Sequence, residues 1–476
     1  MIDVASVLQA MPTCNAFCSV EALQAQVDSL RRDSNGFTAE VVGRSAQGNP
    51  IHHIRFGRGA LKALFVGYPH CNEPIGGLTI SSLLAVLGQA QHPLQGADIE
   101  WHFVPCIDPD GALLNEGWSL HPFTLENYMR NVHRQELRDQ VECSFPIRHK
   151  RLQFDQPTQE ARVLQRLLEE IKPDFYYPLH NAYAGGAFFC LSRNIDCRYH
   201  TQLQGLLTEH GIPLQTNPPN QGWSEVFGAG IYENARIKNL YDFLERTTPF
   251  PEQVLQTGAC SYEYLAEIKP SAMTFATELP YLIHPSDGSQ KPTGQNLRHL
   301  KLQVDADNKF IATLILDAWE TVRSDLNTAS AFYKKIANGV IAAREQLPEA
   351  LPQWPQKTRD ILYNADYDRV ASEGERFNVY LFDRFYVLCN LYEFARLLRV
   401  SQPTAALLRV QSRLEAAFET AFREFAQNVD LHRFTVIDCN TLARVQLASG
   451  LIVLNALLAE RYQTTPARPP APSSSY

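Results

Sequence analysis

Four side chains in this sequence are of the types and at the places where they could act together: His70, Glu73, His180 and Glu278. His70 and Glu73 stand three apart in the stretch LKALFVGYPHCNEPIGG (61–77), which passes from an apolar run through a turn into a helix. Ala63, Leu64, Phe65 and Val66 read as an interior strand of a parallel sheet. Gly67 and Pro69 stop it, and Pro74 falls where a first helical turn accepts proline. A corner of this kind puts an imidazole and a carboxylate side by side at the carboxyl end of a strand, where open α/β sheets bind ligands. Two such groups are metal ligands, and a third protein ligand with one open position would complete a catalytic zinc site. The plain alternative is a capping Glu73 beside a partly buried His70.

The elements that must position these groups follow the same pattern. A helix is expected over about 19–32, then a hairpin over FTAEVVGRSAQGNPIHHIRFG (37–57) turning at Gly48-Asn49-Pro50. IEWHFVPCI (99–107) reads as the next strand, broken by Asp108-Pro109-Asp110-Gly111. From 112 to 155 no clean period is visible, and long irregular connections in compact domains are more often functional than not. Thr158 caps a helix running to Ile171, with Ala161, Leu164, Leu167 and Leu168 inward. A short strand over 175–179 then delivers His180 at its carboxyl end, and AMTFATEL (272–279) places Glu278 at the end of a further strand before Pro280. A carboxylate in an apolar strand end is costly unless it is exposed or used. The fold class that follows is α/β: a mixed, largely parallel sheet flanked by helices.

Beyond about 330 the patterns become helical, as in FYKKIANGVIAAREQL, NVYLFDRFYVLCNLYEFARLL and LARVQLASGLIVLNALLAERY. The expected division is therefore a catalytic domain over 1–327, an all-α domain over 328–463 that supplies no catalytic group, and a disordered tail over 464–476, TPARPPAPSSSY in its main part. A chain of 476 residues exceeds what one core usually supports. The net charge of −8 offers no general attraction to nucleic acid or an anionic membrane. No basic n-region opens the chain and no uninterrupted apolar run of spanning length is visible, so the expectation is a cytoplasmic protein without membrane or nucleic-acid partners. Its ten cysteines form no C-x-x-C pair and read as reduced thiols.

Taken in order, a strand-end His-x-x-Glu, a distant strand-end His and a later strand-end Glu resemble the zinc metallocarboxypeptidases of the carboxypeptidase A type. The hairpin at 37–57 is similar to that family's opening hairpin, VPCIDPDG (104–111) to its Asn-Pro-Asp-Gly stretch, and TFATELP (274–280) to the strand bearing its catalytic Glu. The resemblance covers roughly 35–325. It implies one zinc per chain on His70, Glu73 and His180, Glu278 as general base and acid, and Arg130 of NYMRN (127–131) as the arginine that steadies the tetrahedral oxyanion. Tyr183 is a pocket tyrosine or core filling.

The departures are informative too. Where the family grips a terminal carboxylate with an Asn-Arg pair, QVECSFP (140–146) offers Glu142 and Cys143 at the substrate-binding positions. HCNEPIGG (70–77) is similar to the His-Gly-Asn-Glu turn of the aspartoacylase and succinylglutamate desuccinylase branch, whose members cleave acyl amides. Cys71 is a small residue packed under that turn or an additional ligand. The resemblance thus implies a zinc-dependent amide hydrolase acting on a peptide or a small N-acyl compound. The readings are a carboxypeptidase removing C-terminal residues, a deacylase or amidase, and a non-catalytic binding protein on the same fold. The last has no evident need for Glu278. Oligomeric state is left open by the sequence.

Overall fold

The computed structural model describes residues 1–33, 36–215, 222–346 and 356–464. Nine strands follow one another across the main sheet in the order Phe37–Arg44, Pro50–Phe56, Ile99–Val104, Leu61–Val66, Phe175–Pro178, Met273–Ile283, Phe188–Leu191, Ile231–Glu233, Val226–Gly228. The central four, from Ile99–Val104 to Met273–Ile283, run parallel, and antiparallel pairs flank them. Apolar residues on both faces make this centre bury on both sides, as parallel strands require. In the Leu61–Val66 strand only Lys62 is not fully buried. The sheet is mixed with a parallel core, flanked by helices, as the sequence led us to expect.

Local signals set most element ends. Thr158 caps the Gln159–Ile171 helix by accepting from Ala161 N, and Asp108 caps the Pro109–Ser119 helix by accepting from Gly111 N. Two boundaries differ from expectation. The Met273–Ile283 strand does not stop at Pro280. It pairs with Phe188–Leu191 up to Glu278, exchanges that partner for Asn181–Ala184 at Leu279, and continues to Ile283. Glu278 therefore sits inside a strand, at a change of partner. The stretch expected to be irregular after 112 contains the end of the Pro109–Ser119 helix, a Leu125–Asn131 helix and a short Ile147–His149/Leu152–Phe154 hairpin. Helices of seven residues are too short to show a period.

The division at 327 is not a division of packing. Thr435–Val436 adds a strand to the far end of the Met273–Ile283 strand, and Ile437 N donates to Tyr281 O at 2.9 Å. The Cys439–Thr464 helix lies on the sheet among the Ile75–Leu87 and Cys197–Glu209 helices, and one continuous core of apolar side chains joins both halves of the chain. This helix is long and apolar enough to cross a membrane, but 89% of its most apolar window is buried inside the protein. Its polar residues are used there. Gln446 and Ser449 are fully buried, and the Tyr177 hydroxyl lies 2.9 Å from Gln446 O and 3.1 Å from Ser449 Oγ. An unpaired buried polar group costs about 1–3 kcal/mol, so these bonds fix the helix in one register. The tail expected over 464–476 lies, Thr464 apart, outside the described residues.

Candidate metal centre

The turn after the Leu61–Val66 strand is built by close backbone approach. A Cβ on Gly67 would lie 2.3 Å from Pro105 O, and one on Gly76 2.9 Å from Gly67 Cα, so neither position takes a side chain. Tyr68 adopts φ +57, a left-handed conformation that costs a non-glycine residue about 1–2 kcal/mol. Burial of its ring, and a hydroxyl that donates to Cys18 O at 3.3 Å, hold it there. The chain thus reverses sharply at the sheet rim and presents His70, while the following Ile75–Leu87 helix starts at Pro74 and carries Glu73 to the same point.

Cys71 faces away from this point. Its thiol lies 3.2 Å from His133 O and 3.0 Å from Gln135 Oε1, so it packs under the turn, outside the His70, Glu73, His180 cluster. Asn72 is buried, with its amide donating to the Tyr128 hydroxyl at 3.1 Å.

His180 arrives from the adjacent Phe175–Pro178 strand, and Gln446 of the C-terminal helix fixes it by donating from Nε2 to His180 O at 2.8 Å. Thr79 in turn donates to Gln446 Oε1 at 2.8 Å. His180 Nδ1 lies 2.9 Å from Glu73 Oε2, and the His70 and His180 ring centroids are 5.1 Å apart. One donor atom from each of His70, Glu73 and His180 falls within 4.8 Å of the others. His70 Nδ1 is buried with no hydrogen-bond partner among the described residues. An orphaned imidazole nitrogen in a His, Glu, His set is what a zinc ligand looks like without its ion, so the residues fit a zinc ion.

The electrostatics agree with this. Burial pushes Glu73 up to about 8, opposed by the Arg134 charge and by a hydrogen bond from the Asn181 backbone. Burial also raises Glu278 to about 7, with His180 lowering and Glu73 raising it. His70 is held well below its usual range by burial and by the Arg134 charge, which keeps the imidazole neutral and able to ligate. Three features therefore meet at one point: a neutral imidazole, a carboxylate that needs a cation, and a second carboxylate close enough to feel both His180 and Glu73.

Arg134, and not Arg130, is the arginine whose charge acts on this cluster. Arg130 ends the Leu125–Asn131 helix and binds Glu126 at 2.6 Å and Glu419 at 2.7 Å, with its guanidinium 4.7 Å from the Phe418 ring centroid. The helix stops one residue later, and Arg134 lies beyond it, with Nε donating to Gln140 Oε1 at 3.2 Å. Its charge is felt by His70, Glu73, Glu278 and Cys143. The Tyr386 hydroxyl, from the Glu373–Arg399 helix, faces the same guanidinium. In the sequence Arg134 is one of several arginines, with Arg138, Arg148 and Arg193, that could reach the pocket, and nothing local singles it out.

The expected substrate-binding residues divide. Tyr183 is core: its ring stacks on Phe385 at 4.1 Å and its hydroxyl points to Leu381 O. Glu142 is buried, with Oε1 accepting from Ser261 Oγ at 2.6 Å, and burial raises it to about 7 within reach of the His180 and Glu73 charges. Cys143 lies beside it, its thiol pushed up to about 12 by burial.

No family model matches this sequence, and no curated protein matches it. Solved structures do. They include a carboxypeptidase A from Helicoverpa armigera (14% identity, 56% of this chain and 65% of that one, TM-score 0.35) and a metallo-carboxypeptidase from Burkholderia cenocepacia (13%, 55% and 60%, TM-score 0.34). A murein-tripeptide amidase from Escherichia coli O157 also matches (18% identity, 51% of this chain and 83% of that one, TM-score 0.26). This chain spans less than two thirds of the length of the two carboxypeptidases. Over slightly more than half of its own length it is similar to metallocarboxypeptidases and to this amidase.

Proposed function

We propose that this protein is a zinc-dependent hydrolase of amide bonds. The observation that carries the reading is the buried His70, Glu73, His180 set with its donor atoms within 4.8 Å and an orphaned His70 nitrogen. A zinc ion held there would supply Lewis acidity at the scissile carbonyl and ease the ionisation of water. The chain's own groups do the rest. Glu73 and His180 stand 2.9 Å apart, side by side as a shared ion requires. Glu278 takes the proton from the attacking water and returns it to the leaving amine. Arg134 stands where negative charge develops on the carbonyl oxygen and offers donors to it.

The substrate is a peptide or a small N-acyl compound that presents an amide to the sheet rim. The order of the motif favours removal of C-terminal residues. Glu142 and Cys143 favour the second reading, a deacylase or amidase, because neither can grip a terminal carboxylate and an ionised Glu142 repels one. An arginine–carboxylate contact contributes roughly 1.5–3 kcal/mol, and losing it weakens selection for a free acid by about 10- to 150-fold. We therefore expect kcat/KM to differ by less than about tenfold between a substrate with a free terminal carboxylate and its neutral amide counterpart. A preference of about a hundredfold or more for the acid would mean that Arg134 serves as the grip.

Protein prepared without chelator and offered zinc should contain one zinc per chain by elemental analysis. His180→Ala should lose it and remain folded, since the preceding Phe175–Pro178 strand keeps its pairing with Leu61–Val66 and Met273–Ile283. Wild-type protein that stays metal-free would end the hydrolase reading.

A further inference from the structure

Arg134 belongs to a short segment, 132–136, that runs without regular structure between the rim of the sheet and the Glu373–Arg399 helix. The residue before it is anchored from every side. His133 is 2% exposed, and its Nδ1 lies 2.6 Å from Glu393 Oε1. The other Glu393 oxygen lies 2.5 Å from Lys335 Nζ of the Ala331–Gln346 helix. Burial would push the Glu393 carboxyl up, but Lys335 and His133 more than offset it and hold the group at about 2, so it is ionised.

The backbone of the segment is fixed as well. Arg396, one turn along the same helix, donates from Nη1 to Asn131 O at 2.8 Å and Val132 O at 3.0 Å. Asn115 receives His133 N at 2.9 Å and donates to His133 O at 2.9 Å. The Cys71 thiol, next to the ligand His70, donates to the same carbonyl. His133 is therefore tied to the ligand turn on one side and to the C-terminal helices on the other, while its neighbour Arg134 bonds Gln140 and lies close enough to Glu73 and His70 for its charge to act on both.

As a pure stabiliser the Glu393 carboxylate is a poor choice, because a buried ion pair often does no better than apolar side chains of similar volume. What it supplies is direction. We infer that Glu393, outside the sheet and in the region expected to be accessory, is a positioning residue for Arg134. Its bond to His133 keeps the adjacent guanidinium over the His70, Glu73, His180 set. This rests on the amide-hydrolase reading, in which Arg134 acts on the carbonyl oxygen. It makes the C-terminal helices part of the machinery of that reaction.

The test is a double-mutant cycle in the full-length, zinc-loaded protein. Glu393→Gln should lower kcat by about 10- to 100-fold with KM within about threefold and one zinc per chain retained. In an Arg134→Ala background the same change should alter kcat by less than about threefold, because the group it positions is gone. Equal losses in both backgrounds would overturn the inference and leave Glu393 a structural tie. If Glu393→Gln does not fold, His133 serves instead. His133→Asn, whose amide nitrogen takes the place of Nδ1, should keep activity within about tenfold of wild type, and His133→Leu should not; equal losses from the two would overturn the inference. A readout independent of turnover is the affinity of the zinc-loaded protein for inorganic phosphate. Glu393→Gln should weaken it about tenfold when Arg134 is present and leave it unchanged in Arg134→Ala; an equal weakening in both would overturn the inference. Zinc-loaded wild-type protein that hydrolyses no amide yet shows this phosphate pattern would fail the hydrolase reading alone.

Discussion

Glu278→Gln should retain one zinc per chain and the affinity for substrate while kcat falls by about 100-fold or more. The change is nearly isosteric, so what is removed is the ability to take and return a proton. Glu278 stands at the change of strand partner before Leu279, close enough to His180 and Glu73 for both to shift its pKa. Burial lifts its pKa to about 7, above the ordinary carboxylate range. A nearby divalent cation lowers it again, which leaves a group able to accept a proton and give it up near neutrality. Glu73 is the competing candidate for the same role. The elemental analysis separates them: a Glu278→Gln protein without zinc would make Glu278 a ligand and force the role of Glu73 to be reassigned.

Arg134→Ala should lower kcat by about 10²- to 10³-fold with little change in KM, the scale on which one donor to a developing oxyanion contributes. Arg130→Ala, four residues earlier, should leave kcat within about twofold. Its guanidinium is spent on Glu126, on Glu419 and Phe418 of the Ala405–Asn428 helix, and on the ring of Tyr392. Measured side by side on one substrate, the two variants decide the assignment. A large loss from Arg130→Ala with a small one from Arg134→Ala would restore the arginine that the motif alone suggested.

The cluster of His70, Glu73 and His180 was legible from local signals. His70 and Glu73 follow one short apolar run and His180 another, each run with its own stop signal. In a parallel sheet all such strand ends lie on one rim, so local signals are enough to predict that they converge. Glu278 was legible as an acid in an apolar strand, although its strand continues past Pro280 because the partner changes there. Arg134 was not legible in place of Arg130. The Leu125–Asn131 helix has seven residues, too few for a period to show where it ends, and its end separates Arg130, paired with Glu126 and Glu419, from Arg134, which bonds Gln140. The role of the C-terminal half was hidden for a related reason. An apolar helix reads the same whether it covers a sheet or packs within its own bundle, and what distinguishes them is contact between residues hundreds of positions apart. Only the tertiary structure brings Gln446 to the carbonyl of His180 and Glu393 to the imidazole of His133.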